Sequence, residues 1–343
     1  MIEKYTEAAL PVWGGKRGAR VSEMFIGETI RLKRSELGLT QEELCAGLCD
    51  PSTLSRIETG KQAPSRNLAN ALLQRLGLPH DRYYALETFL TSSEVESDTL
   101  RAKIDGCIAR FRQSLGEERR QARLEALEHL NRLEAGAETD DNIARQYILA
   151  ARAALGSKTG AYGFERRRRM LLEAIRLTVP QFDIDVLDGR LYSIDETGII
   201  SQIAEAYSDA GQHKKAADIF SQLLTYVQDH YQNVTHPSRY LSPAALNYAR
   251  ELCLMGCYED ALRTAELGRK ACRDYGFCQP LPGLLAVMAE CRHEMGEYGQ
   301  SRDLYCQAYY LYLETGNASG LADVEEAAAK RLGLTFPPRE GRV

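Results

Sequence analysis

The chain has no apolar run approaching the roughly 18 residues that a membrane span requires. Its N-terminus lacks an apolar core followed by a small-residue cleavage site, so no secretion signal is expected. Both absences predict a cytoplasmic protein with no membrane partner. The nine cysteines are odd in number and follow no framework, which predicts reduced thiols instead of disulfides. Cys45/Cys49 and Cys253/Cys257 are four-residue pairs, but neither is C-x-x-C and no histidine stands at ligand spacing. They predict small buried side chains, not a metal centre. Enzyme signatures are missing too: no glycine-rich phosphate loop, no G-x-S-x-G, no H-E-x-x-H, and six histidines without a constellation. No catalytic residue, cofactor or metal is expected. The net charge of −5 argues against a uniformly basic surface, although nucleic-acid binding depends on the local face shown to phosphate.

What is present reads as two helical regions. At 343 residues, with 44% hydrophobic and 27% charged, the chain has the size and composition of two ordinary domains. Residues 1–24 mix Pro11, Gly14, Gly15 and Gly18 with Lys4, Lys16, Arg17 and Arg20, and are expected to form a flexible leader or basic arm. Residues 25–80 carry short helices with legible ends, five in our reading. Ile26–Leu37 stops at Gly38, and Thr40 with Glu43 makes a capping box. Asp50 caps a helix whose first residue is Pro51, where the missing N–H costs nothing. Gly60 closes that helix, and Pro64-Ser65 starts the next. Residues 81–100 are expected to be a linker, with the polar Thr91–Thr99 as its hinge.

Residues 101–336 recur apolar at three- and four-residue spacing, with little β-branched alternation. A repeat stands out at 206–224, 252–268 and 291–308. Each copy has a glycine (Gly211, Gly256, Gly296), a polar residue, then His or Tyr. A small residue follows (Ala216, Ala261, Ser301), and four positions later another contact position (Phe220, Ala265, Tyr305). The glycines are 45 and 40 residues apart, longer than the tetratricopeptide period of about 34. The extra length is expected in the loops Tyr231–Ser242 and Tyr275–Gly283. Stacked hairpins of this kind enclose a concave groove.

The runs "LTQEEL" (39–44) and "TLSRIETGKQAPS" (53–65) resemble the Cro/repressor-type helix-turn-helix family. The shortened corner between them, with tetratricopeptide-like repeats downstream, is similar to the Gram-positive peptide-responsive regulators of the Rgg/PlcR kind. That resemblance implies an all-α fold: a five-helix helix-turn-helix domain followed by a right-handed α-solenoid of tetratricopeptide-like hairpins. It also implies a transcription regulator of the quorum-sensing type, whose partners are double-stranded DNA and a short signalling peptide. Ser52, Thr53, Ser55 and Arg56 fall where a recognition helix meets base edges or phosphates. Gln41 and Lys61 are placed to hold phosphate. Pro51 stands where many relatives carry a base-reading residue; Thr53 also reads as a local cap, and Glu58 as a scaffold partner.

Residues 20–80 hold eight basic and seven acidic side chains, so one copy binds phosphate weakly and a homodimer on a two-fold site is expected. For the groove, repeat position selects Gln202, Glu205, Asn247, Arg250 and Glu290. Asn247 can donate to and accept from a peptide backbone, and Arg250 can pair with a carboxylate. The alternative function is a repeat scaffold for a protein partner, with the helix-turn-helix as a DNA tether. The arginine run 166–169 is expected to be solvated helix surface or an interdomain contact, and the tyrosines of 305–316 mostly core or groove lining.

Overall fold

The computed structural model describes residues 18–78, 92–137, 141–157, 161–231 and 237–337; within these, the side chains of 18–25, 92–94 and 238 are left aside. Among the described residues all regular structure is helical. The first domain contains α1 (Gly18–Glu36), α2 (Gln41–Cys45), α3 (Pro51–Glu58) and α4 (Arg66–Arg75). Four helices therefore stand where five were expected, and residues 79–91 lie outside the description. α1 begins within the segment read as a leader; residues 1–17 lie outside the described residues. The capping signals are realised as written: Thr40 and Glu43 form a reciprocal box, and Asp50 accepts from the Thr53 N–H. Ile26, Ile30, Leu44, Leu54, Ile57, Leu72, Leu73 and Leu76 close one small core between the four helices.

The second region is a stack of hairpins: α5 (Ser92–Gln113) with α6 (Gly116–Gly136), α7 (Asn142–Ser157) with α8 (Phe164–Thr178), and α9 (Ile194–Asp209) with α10 (His213–His230). α11 (Ser238–Leu254) pairs with α12 (Tyr258–Tyr275), α13 (Leu281–Glu294) with α14 (Tyr298–Glu314), and α15 (Ala318–Leu332) ends the stack. Helix α5 begins at Ser92, so the C-terminal half of the expected linker is already helix.

The repeat positions found in the sequence sit at the helix contacts. Ala216, Ala261 and Ser301 are fully buried, as are Phe220, Ala265 and Tyr305. Gly211, Gly256 and Gly296 all have φ between 74° and 82°, a region costly for a side chain. At all three corners the glycine N–H returns to the residue three back, and the next N–H to the residue five back, satisfying the last carbonyls of the first helix. The long repeat period is absorbed differently from the expectation. α11 already starts at Ser238 and α13 at Leu281, so the extra residues lengthen the helices, not only the loops. Pro282 fits at the start of α13, where no helix hydrogen bond is lost.

First helices of successive hairpins lie side by side: α7 on α9, α11 on α13, α13 on α15. α15 also meets α5, and Arg119 Nη2 donates to Ser319 Oγ over 3.2 Å. The stack thus curls until its last helix touches its first hairpin.

Candidate nucleic-acid interface and inner groove

The helix-turn-helix scaffold is organised by one buried carboxylate. Glu58, at the end of α3, accepts from Arg34 Nε and Nη2 over 2.6 and 3.0 Å and from Gln41 Nε2 over 2.7 Å. Arg34 also donates to the Leu39 carbonyl over 2.7 Å, so α1, the turn into α2 and the end of α3 are tied together. Its hydrogen bonds to Glu58 push the Arg34 pKa above its ordinary value, and the guanidinium stays charged. Glu58 is therefore the scaffold partner anticipated from sequence. Gln41, expected on phosphate, commits one amide N–H to Glu58 and retains a second.

Helix α3 buries Leu54 and Ile57 and exposes Ser52 and Arg56, with Thr53 and Ser55 half-buried. The start of this helix differs from the expected reading surface. The Ser52 hydroxyl donates to Asp50, and the Thr53 hydroxyl donates to the same carboxylate over 2.8 Å. Both hydroxyl protons serve the cap, leaving only oxygen lone pairs to meet a base edge. Those hydroxyls, with the Thr53 N–H, hold the Asp50 pKa far below the usual carboxylate range. At the other end, Lys61 N–H returns to the Arg56 carbonyl over 2.8 Å around Gly60, which fixes exposed Lys61 just beyond the helix. Arg34 and Arg75 are consumed inside the protein and Arg66 pairs with Asp98. The basic groups left on this face are fewer than composition suggests.

The groove candidates fall on α9, α11 and α13, the first helices of their hairpins. Asn247 of α11 donates through Nδ2 to Ser201 Oγ over 3.2 Å and approaches Glu205 Oε1 at 3.5 Å, both on α9. Gln202 is half-buried on α9, and Arg250 is exposed one turn beyond Asn247. Burial raises the Tyr312 pKa, and the positive charge of Arg250 opposes that rise. Arg331 of α15 pairs with Glu290 over 3.5 Å, and the Cys253 thiol donates to it over 3.8 Å. The structure thus joins Asn247 to Glu205, whereas Glu290 is engaged by Arg331 and Cys253. Below this face, buried Glu251 accepts from Ser208 over 2.6 Å and lies 3.0 Å from His213 Nδ1, a second α9–α11 link absent from the sequence reading.

Two other expectations are resolved. Cys45 and Cys253 are buried, but Cys257 is exposed and Cys49 half-buried, because Cys257 sits at the corner before α12. Burial pushes the Cys49 thiol up to about 12, leaving it protonated and unreactive. In the arginine run, Arg167 is buried against Asp209 at 2.5 Å, Arg168 donates to the Tyr207 hydroxyl, and Arg166 lies over the Tyr162 ring. The run wraps the helix instead of forming one basic patch. Of the tyrosines, Tyr305 and Tyr309 are core and Tyr310 is exposed.

Sequence reasoning missed the joint between the domains. Arg75 of α4 is almost wholly buried and pairs with fully buried Glu196 of α9 at 2.7 Å. It also donates to the carbonyls of Leu44, Ala46 and Thr178 over 3.1, 2.8 and 2.8 Å. Glu196 also completes the N-terminal capping box of α9, accepting from the Ser193 N–H over 2.6 Å. The segment before it is pinned at Tyr192, whose backbone exchanges hydrogen bonds with the Tyr226 and Tyr231 hydroxyls. Gly47 has φ of 72°, and a Cβ there would fall 2.2 Å from the Thr178 carbonyl oxygen, so the two backbones meet directly.

Residues 26–84 match the family described as a helix-turn-helix domain, which defines the first domain. Over 91% of its length the chain has the fold of a protein of solved structure, PlcR from Bacillus thuringiensis. Its complex with the peptide PapR7 and DNA aligns at 19% identity and TM-score 0.52, covering 91% of this chain and 100% of that one. Its apo form aligns at 18% identity and TM-score 0.54, covering 90% and 99%. No curated protein matches the chain by sequence. At these identities the likeness is one of fold, and it agrees with the Rgg/PlcR resemblance carried by the shortened corner and the downstream repeats.

Proposed function

We propose that the protein is a cytoplasmic, non-enzymatic transcription regulator, that two copies bind a two-fold DNA site, and that a short peptide in the inner groove controls this binding. The observation that carries the reading is a single helix that runs from the joint with the helix-turn-helix domain to the groove candidates. In its first turn α9 carries Glu196, clamped by Arg75 of the helix-turn-helix domain, and nine residues on it carries Glu205 beside Asn247. At 1.5 Å per residue the two points are roughly 13 Å apart along one rigid element.

On the DNA side, Ser55 and Arg56 of α3 contact base edges or phosphate, Lys61 and the free N–H of Gln41 hold phosphate, and Ser52 and Thr53 accept through their oxygens. On the groove side, Asn247 exchanges its bond to Ser201 for the peptide backbone, Gln202 and Glu205 take peptide N–H groups, and Arg250 takes a carboxylate. Glu290 reaches peptide only after releasing Arg331. Moving α9 relative to α11 shifts Glu196, and with it the helix-turn-helix domain. The spacing of two recognition helices then comes into or out of register with successive major grooves, about 34 Å apart. A peptide does this only by binding the two arrangements unequally. The fold support is that PlcR was solved with both a peptide and DNA.

The test is to select short linear peptides that bind the full-length protein, then titrate a bound duplex with them. Peptides that shift duplex affinity in the wild type and lose that effect in Asn247→Ala support the reading. Selected peptides that bind both proteins alike and leave duplex affinity unchanged overturn it in favour of a scaffold for larger partners.

A further inference from the structure

The groove candidates stand on first helices, but one further side chain reaches their face from a second helix. Tyr312 belongs to α14, and its ring crosses two glycines. A Cβ at Gly320 of α15 would lie 2.4 to 2.8 Å from three atoms of the Tyr312 ring. A Cβ at Gly283 of α13 would lie 3.2 Å from the Tyr312 hydroxyl oxygen and 2.9 Å from a methyl of Leu246 on α11. Neither glycine has a positive φ, so neither is there for its backbone. Both sit in regular helix, where glycine is the weaker choice, and what they supply is room. Together they form a slot that delivers the Tyr312 hydroxyl to α11, beside Leu246.

Leu246 and Arg250 are four residues apart, so they share a face of α11 one turn from each other. Arg250 is exposed and enters no ion pair among the described residues. The Tyr312 hydroxyl has no hydrogen-bond partner among them either, and it is not sealed from water. Burial raises its pKa, so the hydroxyl keeps its proton. A guanidinium with five N–H donors and a neutral O–H donor thus stand on neighbouring turns with no protein acceptor.

We infer that Tyr312 is a specificity-determining residue of the groove, its hydroxyl and the Arg250 guanidinium donating together to one carboxylate of the bound peptide. The inference rests on the groove being the peptide site. The chemistry selects a carboxylate. Its two oxygens accept from both donors at once and its charge is met by Arg250. A backbone carbonyl would satisfy the hydroxyl alone, and a cationic group would be repelled. Asp323, exposed on α15 three residues beyond Gly320, disfavours a second negative charge there. Asn247 lies about 4.5 Å before Arg250 along α11, and one extended peptide residue spans about 3.3 Å. Asn247 therefore holds the peptide backbone one or two residues from the anchored carboxylate.

The experiment is calorimetry of the full-length protein with short peptides selected on it, each made as the free acid, as the C-terminal amide, and with any Asp or Glu replaced by Asn or Gln. Wild type, Tyr312→Phe and Gly320→Ala are compared. Loss of one carboxylate is expected to weaken wild-type binding about tenfold or more, as for hydrogen bonds to a charged group. A drop with the amide assigns that carboxylate to the chain end, and a drop with Asn or Gln assigns it to a side chain. Tyr312→Phe, which keeps the ring, should weaken the intact peptide about tenfold and leave the form lacking that carboxylate unchanged. Gly320→Ala, whose Cβ enters the slot, should show the same selective loss. If Tyr312→Phe binds the intact peptide as wild type does, or weakens both forms equally, the inference is overturned and the groove reading stands. If selection yields no peptide that binds, both are overturned.

Discussion

Arg75 and Glu196, 121 residues apart in sequence, form an ion pair 2.7 Å long with almost no exposure to solvent. It ties the last turn of α4 to the first turn of α9. Two charges withdrawn from water gain little net stability as a pair, but either one left alone is expensive. The pair therefore fixes how the domains sit more than how strongly the chain folds.

Removing one partner should be far worse than removing both. Arg75→Ala or Glu196→Ala is expected to lower unfolding free energy by about 3–5 kcal/mol, and Arg75→Met with Glu196→Leu by clearly less. Urea denaturation of the four proteins checks this. Single and double variants that lose equal stability would show that the pair does not hold the joint.

Backbone contact at Gly47 makes a second prediction. Gly47→Ala carries both the cost of a positive φ and a clash with Thr178, whereas Gly38→Ala, at φ 70° with open space around it, carries only the first. Gly38→Ala should cost about 1–2 kcal/mol, and Gly47→Ala more, with faster proteolysis between the domains. Limited proteolysis and thermal melts decide; equal effects at the two sites would contradict direct backbone docking.

Acid should loosen the starts of α2 and α3 first. The Ser52 and Thr53 hydroxyls and the Thr53 N–H depress the Asp50 pKa, and Thr40 depresses that of Glu43. Between a lowered folded pKa and the ordinary value near 4, the unfolded chain binds more protons. Stability from both caps is thus complete above about pH 4 and is lost as pH falls through the folded values. Asp105, whose pKa burial raises, works in the opposite sense. Asp50→Asn keeps a cap without the titration, so its urea midpoint should depend less on pH than that of the wild type. Parallel profiles would remove Asp50 from the acid response.

Much of the helix-turn-helix domain was legible because its signals are local. A cap, its partner and a closing glycine lie within a few residues of each other, as at Thr40/Glu43 and Asp50/Pro51. The repeat was legible for a related reason: the same corner recurs at Gly211, Gly256 and Gly296. What escaped the sequence is what depends on distant partners. Nothing near Arg75 marks it as buried, and nothing near Glu196 distinguishes its second role from that of a cap. Ser52 and Thr53 were assigned to DNA from their position at the helix start, yet that position also brings their hydroxyls onto Asp50. Cys257 was grouped with buried cysteines by spacing, but the turn that spacing spans carries it to the surface.

The account stands or falls on specific DNA binding by α3. The most direct measurement is selection of duplexes from a random-sequence library by the full-length protein, followed by affinity against salt for wild type and Arg56→Ala. The predicted result is a two-fold symmetric site with half-sites about one helical turn apart and an affinity that falls steeply with salt. Arg56→Ala should retain its helicity and bind that site about tenfold or more weaker, in line with 1–3 kcal/mol for a base contact. Enrichment of no symmetric sequence, or equal binding by Arg56→Ala, would contradict it.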